Sequence, residues 1–128
     1  MIGDRGARAL GKLLNGHSIL TRLNVSDNVI RAAGAQAIAH ALTKNDTLTW
    51  LNLRLNRMTD EGGQAICRSL LKNDTLTHLN LGSNDLTEPT ASIFSQVVAQ
   101  NAVVREIDFS CNKLGPVSSG LVATHPAH

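Results

Sequence analysis

The chain is poor in aromatic residues. Two phenylalanines, one tryptophan and no tyrosine make up 2% of its 128 residues, so any core must be aliphatic. No apolar run approaches the length of a membrane span, and no membrane partner is expected. The opening residues Met1, Ile2, Gly3, Asp4 and Arg5 lack the hydrophobic centre of an export signal. Net charge is only +2, with Lys and Arg scattered and no basic stripe with interleaved aromatics, so no nucleic acid is expected. The phosphate-loop pattern G-x-x-x-x-G-K-[ST] is absent, and no cofactor is implied. His17, His40, His78, His125 and His128 form no H-x-x-x-H pair and the cysteines no C-x-x-C, so no metal site is expected. His125 and His128 read as part of a solvated tail. Asp27 falls in a different repeat from Glu106 and Asp108, and none has a partnering nucleophile, which argues against acid–base catalysis and for ordinary solvation. No enzyme is expected.

What the chain does have is a period. Asn28, Asn56, Asn84 and Asn112 are spaced by 28 residues, and each closes the same phrase. The apolar positions are Leu20, Leu23 and Val25; Leu48, Leu51 and Leu53; Leu76, Leu79 and Leu81; Val104, Ile107 and Phe109. The last two of each set alternate with polar residues, which is strand periodicity. Leu51 and Leu53 should point inward, and Trp50, Asn52 and Arg54 outward. Each asparagine stands where the strand turns away. Its amide has two donors and an acceptor for loop backbone groups that strand pairing leaves open, so stacked units should hold an asparagine ladder.

The residues after each asparagine follow a helical period. Ile66 and Leu70 are four apart and share one helix face. Thr59 suits an N-cap, and Asp60 and Glu61 suit the positive end of the helix. Thr87, Glu88 and Pro89 repeat that logic, whereas Arg31 is a poor cap. Lys44 and Lys72 fall in the last turns, and Asn45 and Asn73 suit a helix stop. Gly62 and Gly63 open a helix, a place that can in principle face an anion. Gly6, Gly34 and Gly62 share one register, however, and a small residue for tight helix packing accounts for it. The pattern predicts strands near 22–25, 50–53, 78–81 and 106–109, and helices near 5–15, 32–43, 60–71 and 88–100. The fold class is an α/β solenoid with a parallel sheet inside and helices outside. Residues 1–114 form the repeat array, with partial first and last units. Residues 115–128, where Gly115, Pro116, Ser118, Ser119 and Gly120 replace a helix, read as an irregular tail. Neither end shows a polar cap, so the chain reads as a piece or short product of a longer array. Leu10, Leu14, Phe109 and Leu114 are expected to be exposed at the ends and to offer a docking route.

Outward strand residues line up in columns when parallel strands stack about 4.8 Å apart. The first column is Arg22, Trp50, His78 and Glu106; the second Asn24, Asn52, Asn80 and Asp108; the third Ser26, Arg54, Gly82 and Ser110. Arg22, Trp50, Arg54, His78, Glu106 and Asp108 are the candidate protein-binding residues, because Trp and Arg are over-represented among binding hot spots. The competing reading is that Arg22 stacks on Trp50 as a surface cation–π pair. The asparagines of the second column are expected to bridge neighbouring strands. Cys67 and Cys111 occupy different registers, too far apart in kind to pair, and free thiols suit a reducing compartment such as the cytoplasm.

The pattern L-x-x-L-x-L-x-x-N, followed by the glycine and helix positions and a closing asparagine, resembles the leucine-rich repeat family and its ribonuclease-inhibitor-like subclass, over roughly Gly6 to Leu114. The resemblance implies a binding scaffold. Residues 51–56, 60–65 and 72–77 are similar in wording to an axonemal branch of the family. That branch implies a structural link between doublet microtubules and dyneins, with other dynein regulatory complex subunits as partners and a cytoskeletal, ciliary or flagellar location. The alternatives are Ran GTPase activation, which would bring an acidic tail, and an innate immune receptor arm, which would bring a nucleotide-binding domain. A ribonuclease inhibitor would be acidic and rich in cysteine, unlike this chain with its pI near 8.8.

Overall fold

The computed structural model of the chain describes residues 1–15, 18–100, 103–114 and 123–124. Helices and strands alternate along it: α1 (Gly3–Asn15), β1 (Arg22–Asn24), α2 (Ala32–Leu42), β2 (Trp50–Asn52), α3 (Thr59–Ser69), β3 (His78–Asn80), α4 (Glu88–Val98), β4 (Glu106–Asp108) and β5 (Ala123–Thr124). The sheet runs β1-β2-β3-β4-β5. The first four strands are parallel and in register at the 28-residue period, with Leu23 beside Leu51, Leu79 and Ile107 in turn. β5 pairs antiparallel with β4, where an irregular segment was expected; the rest of 115–128, with His125 and His128, lies outside the described residues, as does His17.

Each of the first four strands is three residues long, with one inward residue inside it and a second just past its end. Leu51, Leu53, Leu79, Leu81, Ile107 and Phe109 are buried, as the alternation predicts, and Ile38, Leu42, Ile66, Leu70 and Phe94 meet them from the helices. Phe94 packs edge-on to Phe109, with ring centroids 4.9 Å apart. Leu14, Phe109 and Leu114 are therefore buried and Leu10 half-buried, not exposed as expected. Each finds cover within its own or the adjacent unit. Cys67 is in this core, where burial pushes its thiol up to about 12 against the opposing charge of Arg68; Cys111 is exposed on the turn after β4.

The asparagine ladder is present, with unequal rungs. Asn56 accepts the N–H groups of Asn28 (2.9 Å) and Ile30 (3.0 Å) and donates to the Leu53 carbonyl (2.8 Å). Asn112 does the same for Asn84 and Leu86 (both 2.9 Å). Asn56 and Asn84 are buried, but Asn28 and Asn112 only half so, because each has a neighbouring unit on one side fewer. A second ladder runs at the helix ends. Asn45 donates to the Leu14 carbonyl (3.0 Å) and accepts from Leu48 (2.8 Å); Asn73 donates to the Leu42 carbonyl (2.8 Å) and accepts from Leu76 (2.8 Å). The helices end before these residues, with Thr43 and Leu70 as C-caps instead, and the asparagines tie each helix to the one before it.

Helix starts depart from expectation. Thr59 is no side-chain cap: it has a positive φ of 54°, and its hydroxyl donates to the Met58 carbonyl at 2.6 Å. Caps come instead from the preceding unit. Asp4 accepts the N–H groups of Arg31 (2.7 Å) and Gly34 (3.1 Å) at the head of α2, which excuses Arg31. Asp60 likewise accepts the Thr87 N–H (2.8 Å), the Thr90 hydroxyl (2.6 Å) and the Thr87 hydroxyl at the head of α4. Ala32 stands at the same register and has no carboxylate to offer α3. The turn before α3 is correspondingly different. Left-handed residues fall at Asp27 and Val29 before α2 and at Ser83 and Asp85 before α4, but at Leu55 and Thr59 before α3. The Asn84 main-chain carbonyl accepts the Thr59 N–H at 3.0 Å, while its side-chain Oδ1 is left buried without a partner among the described residues.

Candidate functional site on the strand face

The strand register brings all six candidate residues to one face in the predicted columns. Arg22, Trp50, His78 and Glu106 are Cα neighbours in sequence order of the strands, and Asn80 stands beside Asp108. Spacing of about 4.8 Å lets side chains on adjacent strands touch, and they do. The Arg22 guanidinium carbon is 4.3 Å from the Trp50 ring centroid, so the cation–π pair exists, and Trp50 is half-buried rather than fully exposed. His78 Nε2 is 3.5 Å from Glu106 Oε2, an ion pair when the imidazole is protonated, and the Thr77 hydroxyl lies 2.8 Å from His78 Nδ1.

The second column does not bridge strands. The side-chain oxygens of Asn24, Asn52, Asn80 and Asp108 accept the N–H two residues on in their own chain, at 3.0, 2.9, 2.9 and 2.7 Å. This is the local Asx turn, which a short polar side chain forms more readily than a reach to the next strand. It shapes the strand exit and fixes these side chains. In the third column Arg54 crosses β3 and donates to the Ser110 hydroxyl at 3.3 Å. Gly82 makes the crossing possible, since a Cβ there would stand 2.8 Å from Arg54 Nη1. Hydrogen bonds from Ser110, with the charge of Arg54 behind them, hold the Asp108 carboxyl below its ordinary value although burial opposes this. Gly82 is the residue that sequence reasoning missed. Its signal was a glycine inside a column whose other members carry side chains.

An aromatic ring, two guanidiniums, an imidazole and two carboxylates are displayed at fixed spacing on this face. Among the described residues no group of three His, Cys, Asp or Glu is placed to hold a metal ion, and no helix is long and apolar enough to cross a membrane.

On the opposite face some of the basic residues fall in register: Lys12, His40 and Arg68 share one position of the repeat, and Lys44 and Lys72 another. All five are exposed.

Comparison with known proteins agrees with the architecture. The Leucine Rich repeat family model matches residues 17–39, 44–67 and 72–89, about half of the chain. The solved structure described as Leiomodin-1 Actin-Binding Site 2 (ABS2) is similar in fold, with a TM-score of 0.74 and 22% identity over 90% of this chain. The present chain spans 66% of the length of that one. No curated protein matches the sequence.

Proposed function

This chain belongs to the leucine-rich repeat family, and from that premise we propose that it is a non-catalytic scaffold that binds another protein through its strand face. The observation that carries the reading is the in-register column Arg22, Trp50, His78 and Glu106, with Arg54 and Asp108 beside it. These side chains are held by their own neighbours, so little conformational freedom is left to lose on binding. Trp50 and Arg54 are the residue types that most often dominate binding energy.

The partner assigned is a subunit of the dynein regulatory complex, and the place is the ciliary or flagellar axoneme within the cytoplasm. Support comes from the likeness of residues 51–56, 60–65 and 72–77 to dynein regulatory complex subunit 5, a protein of the ribonuclease-inhibitor-like subclass. The rival cytoskeletal reading is actin, which the name of the leiomodin structure suggests; its 22% identity carries the fold alone. Ran GTPase activation and an immune receptor arm are further regulatory alternatives, with no residue on this face pointing to either.

The test is reconstitution of the chain with purified dynein regulatory complex subunits, beside co-sedimentation with actin filaments, each with wild type and Trp50→Ala. Retention by the regulatory subunits that Trp50→Ala abolishes supports both partner and face. Co-sedimentation with actin alone reassigns the partner. Binding that ignores Trp50→Ala removes the strand face from the account.

A further inference from the structure

We propose that the helix face carries a second binding site, independent of the strand face: a basic cleft between α2 and α3, extended by α1, that takes an extended acidic segment of a partner protein. The cleft is open, about 260 Å³ in volume. His40 and Thr43 of the α2 side and Arg68 and Lys72 of the α3 side form its walls, over a floor of Ala39, Ala65 and Ser69. Lys44 continues the α2 wall in sequence, and Lys12 stands at the His40 and Arg68 register on α1.

These cations are unspent. Among the described residues the only salt bridge is His78–Glu106, on the other face. Glu61, in the first turn of α3, accepts from Gln36 at 3.0 Å, and Asp46 and Asp74 lie on the loops that leave for the strands. Cations at helix C-termini do offset the macrodipole, which accounts for Lys12, His40 and Arg68 one helix at a time. It does not account for Lys44 and Lys72, which lie beyond the helix ends, or for an alanine-floored cleft between them. The equivalent positions on α4 and after it, Gln96 and Gln100, are uncharged, so the strip stops at α3.

The geometry selects the occupant. Packed helix axes lie about 8–10 Å apart. A polyproline-type strand rises about 3.1 Å per residue with three residues per turn. Every third residue then falls on one face at intervals of roughly 9 Å. A carboxylate at each third position therefore meets Lys12, then His40 and Lys44, then Arg68 and Lys72, while small residues between them rest on Ala39 and Ala65. Single-stranded nucleic acid fits poorly, because no aromatic residue lines the cleft for base stacking. A lipid surface fits poorly too, because the floor offers no large apolar side chain to insert.

The test is the anisotropy of a labelled (Glu-Ala-Pro)4 peptide at low salt. Inorganic phosphate serves as competitor, and a 12-nucleotide single strand and phosphatidylserine vesicles as alternative ligands. The Arg68→Glu, Lys72→Glu double variant should bind the peptide at least tenfold more weakly, and so should Arg68→Gln, Lys72→Gln, which places no carboxylate at a helix end. Arg57→Glu, exposed outside the cleft, and Trp50→Ala should bind as wild type, so failure here and failure of the strand-face reading are separable. Added salt should weaken the peptide complex. Undiminished binding by the glutamine pair overturns the proposal. So does displacement by phosphate at equal concentration, or tighter binding of the strand or the vesicles.

Discussion

The strand face and the helix face are ordered by the same 28-residue period, and they use their charges in opposite ways. On the strand face neighbours are about 4.8 Å apart, close enough for Arg22 to cover Trp50, His78 to meet Glu106 and Arg54 to cross Gly82 toward Ser110. On the helix face the interval is about 8–10 Å, so Lys12, His40 and Arg68 recur without meeting. A solenoid thus builds a pre-paired, rigid display on its inner side and an unpaired row of charge on its outer side from one sequence rule. The first suits recognition with little ordering to do, the second recognition by attraction.

Both faces hang from one core, and the largest expected effect tests that. Leu53 is fully buried, and Leu53→Ala should cost about 2–5 kcal/mol, visible in a denaturant melt with loss of both binding activities together. Loss of one activity alone would mean the two faces are not carried by a common core. Next is the ladder that sets the period. Asn56→Ala removes the acceptor for Asn28 and Ile30, and should cost about 1–3 kcal/mol. An unchanged melting temperature would show that the loops hold register without it.

Two smaller effects probe the helix starts, which position the outer charges. Ala32→Asp gives α3 the carboxylate that Asp4 and Asp60 give α2 and α4. It should raise stability by about 0.5–2 kcal/mol, measured by chemical denaturation; a loss would mean that the turn through Leu55 and Thr59 cannot revert to the form its neighbours take. For Asp60, burial alone would raise the carboxyl, but hydrogen bonds from Thr87 and Thr90 together outweigh it and lower the carboxyl below its ordinary 3.8. The unfolded chain then takes up the proton first as pH falls. This contribution is complete above the ordinary value and is lost as pH falls through the folded one. Asp60→Asn should therefore flatten the fall in melting temperature between about pH 5 and pH 2, and parallel curves for the two proteins would contradict the assigned cap.

The fold was legible because each unit states its inward residues twice, as Leu51 and Leu53 on the strand and as Ile66 and Leu70 on the helix, at spacings that only a strand and a helix satisfy together. The strand-face columns followed from the period alone. What escaped is what passes between units. A cap for Arg31 and Gly34 lies at Asp4, and one for Thr87 at Asp60, 27 to 30 residues back in the sequence, where no local helix-start rule looks. Asn80 turned back on its own chain, not to its neighbour, because the N–H of Gly82 is always within reach. The row of Lys12, His40 and Arg68 appears only when the charges, and not just the leucines, are folded on the period.

The most direct measurement of the central claim is the affinity of a purified dynein regulatory complex subunit, the partner proposed above, for three proteins: wild type, Trp50→Ala, and Arg68→Gln with Lys72→Gln. The strand-face account predicts that Trp50→Ala weakens binding by about 2 kcal/mol or more, at a melting temperature close to that of wild type because the ring points away from the core. Binding that survives Trp50→Ala intact, in a protein folded like wild type, would contradict it.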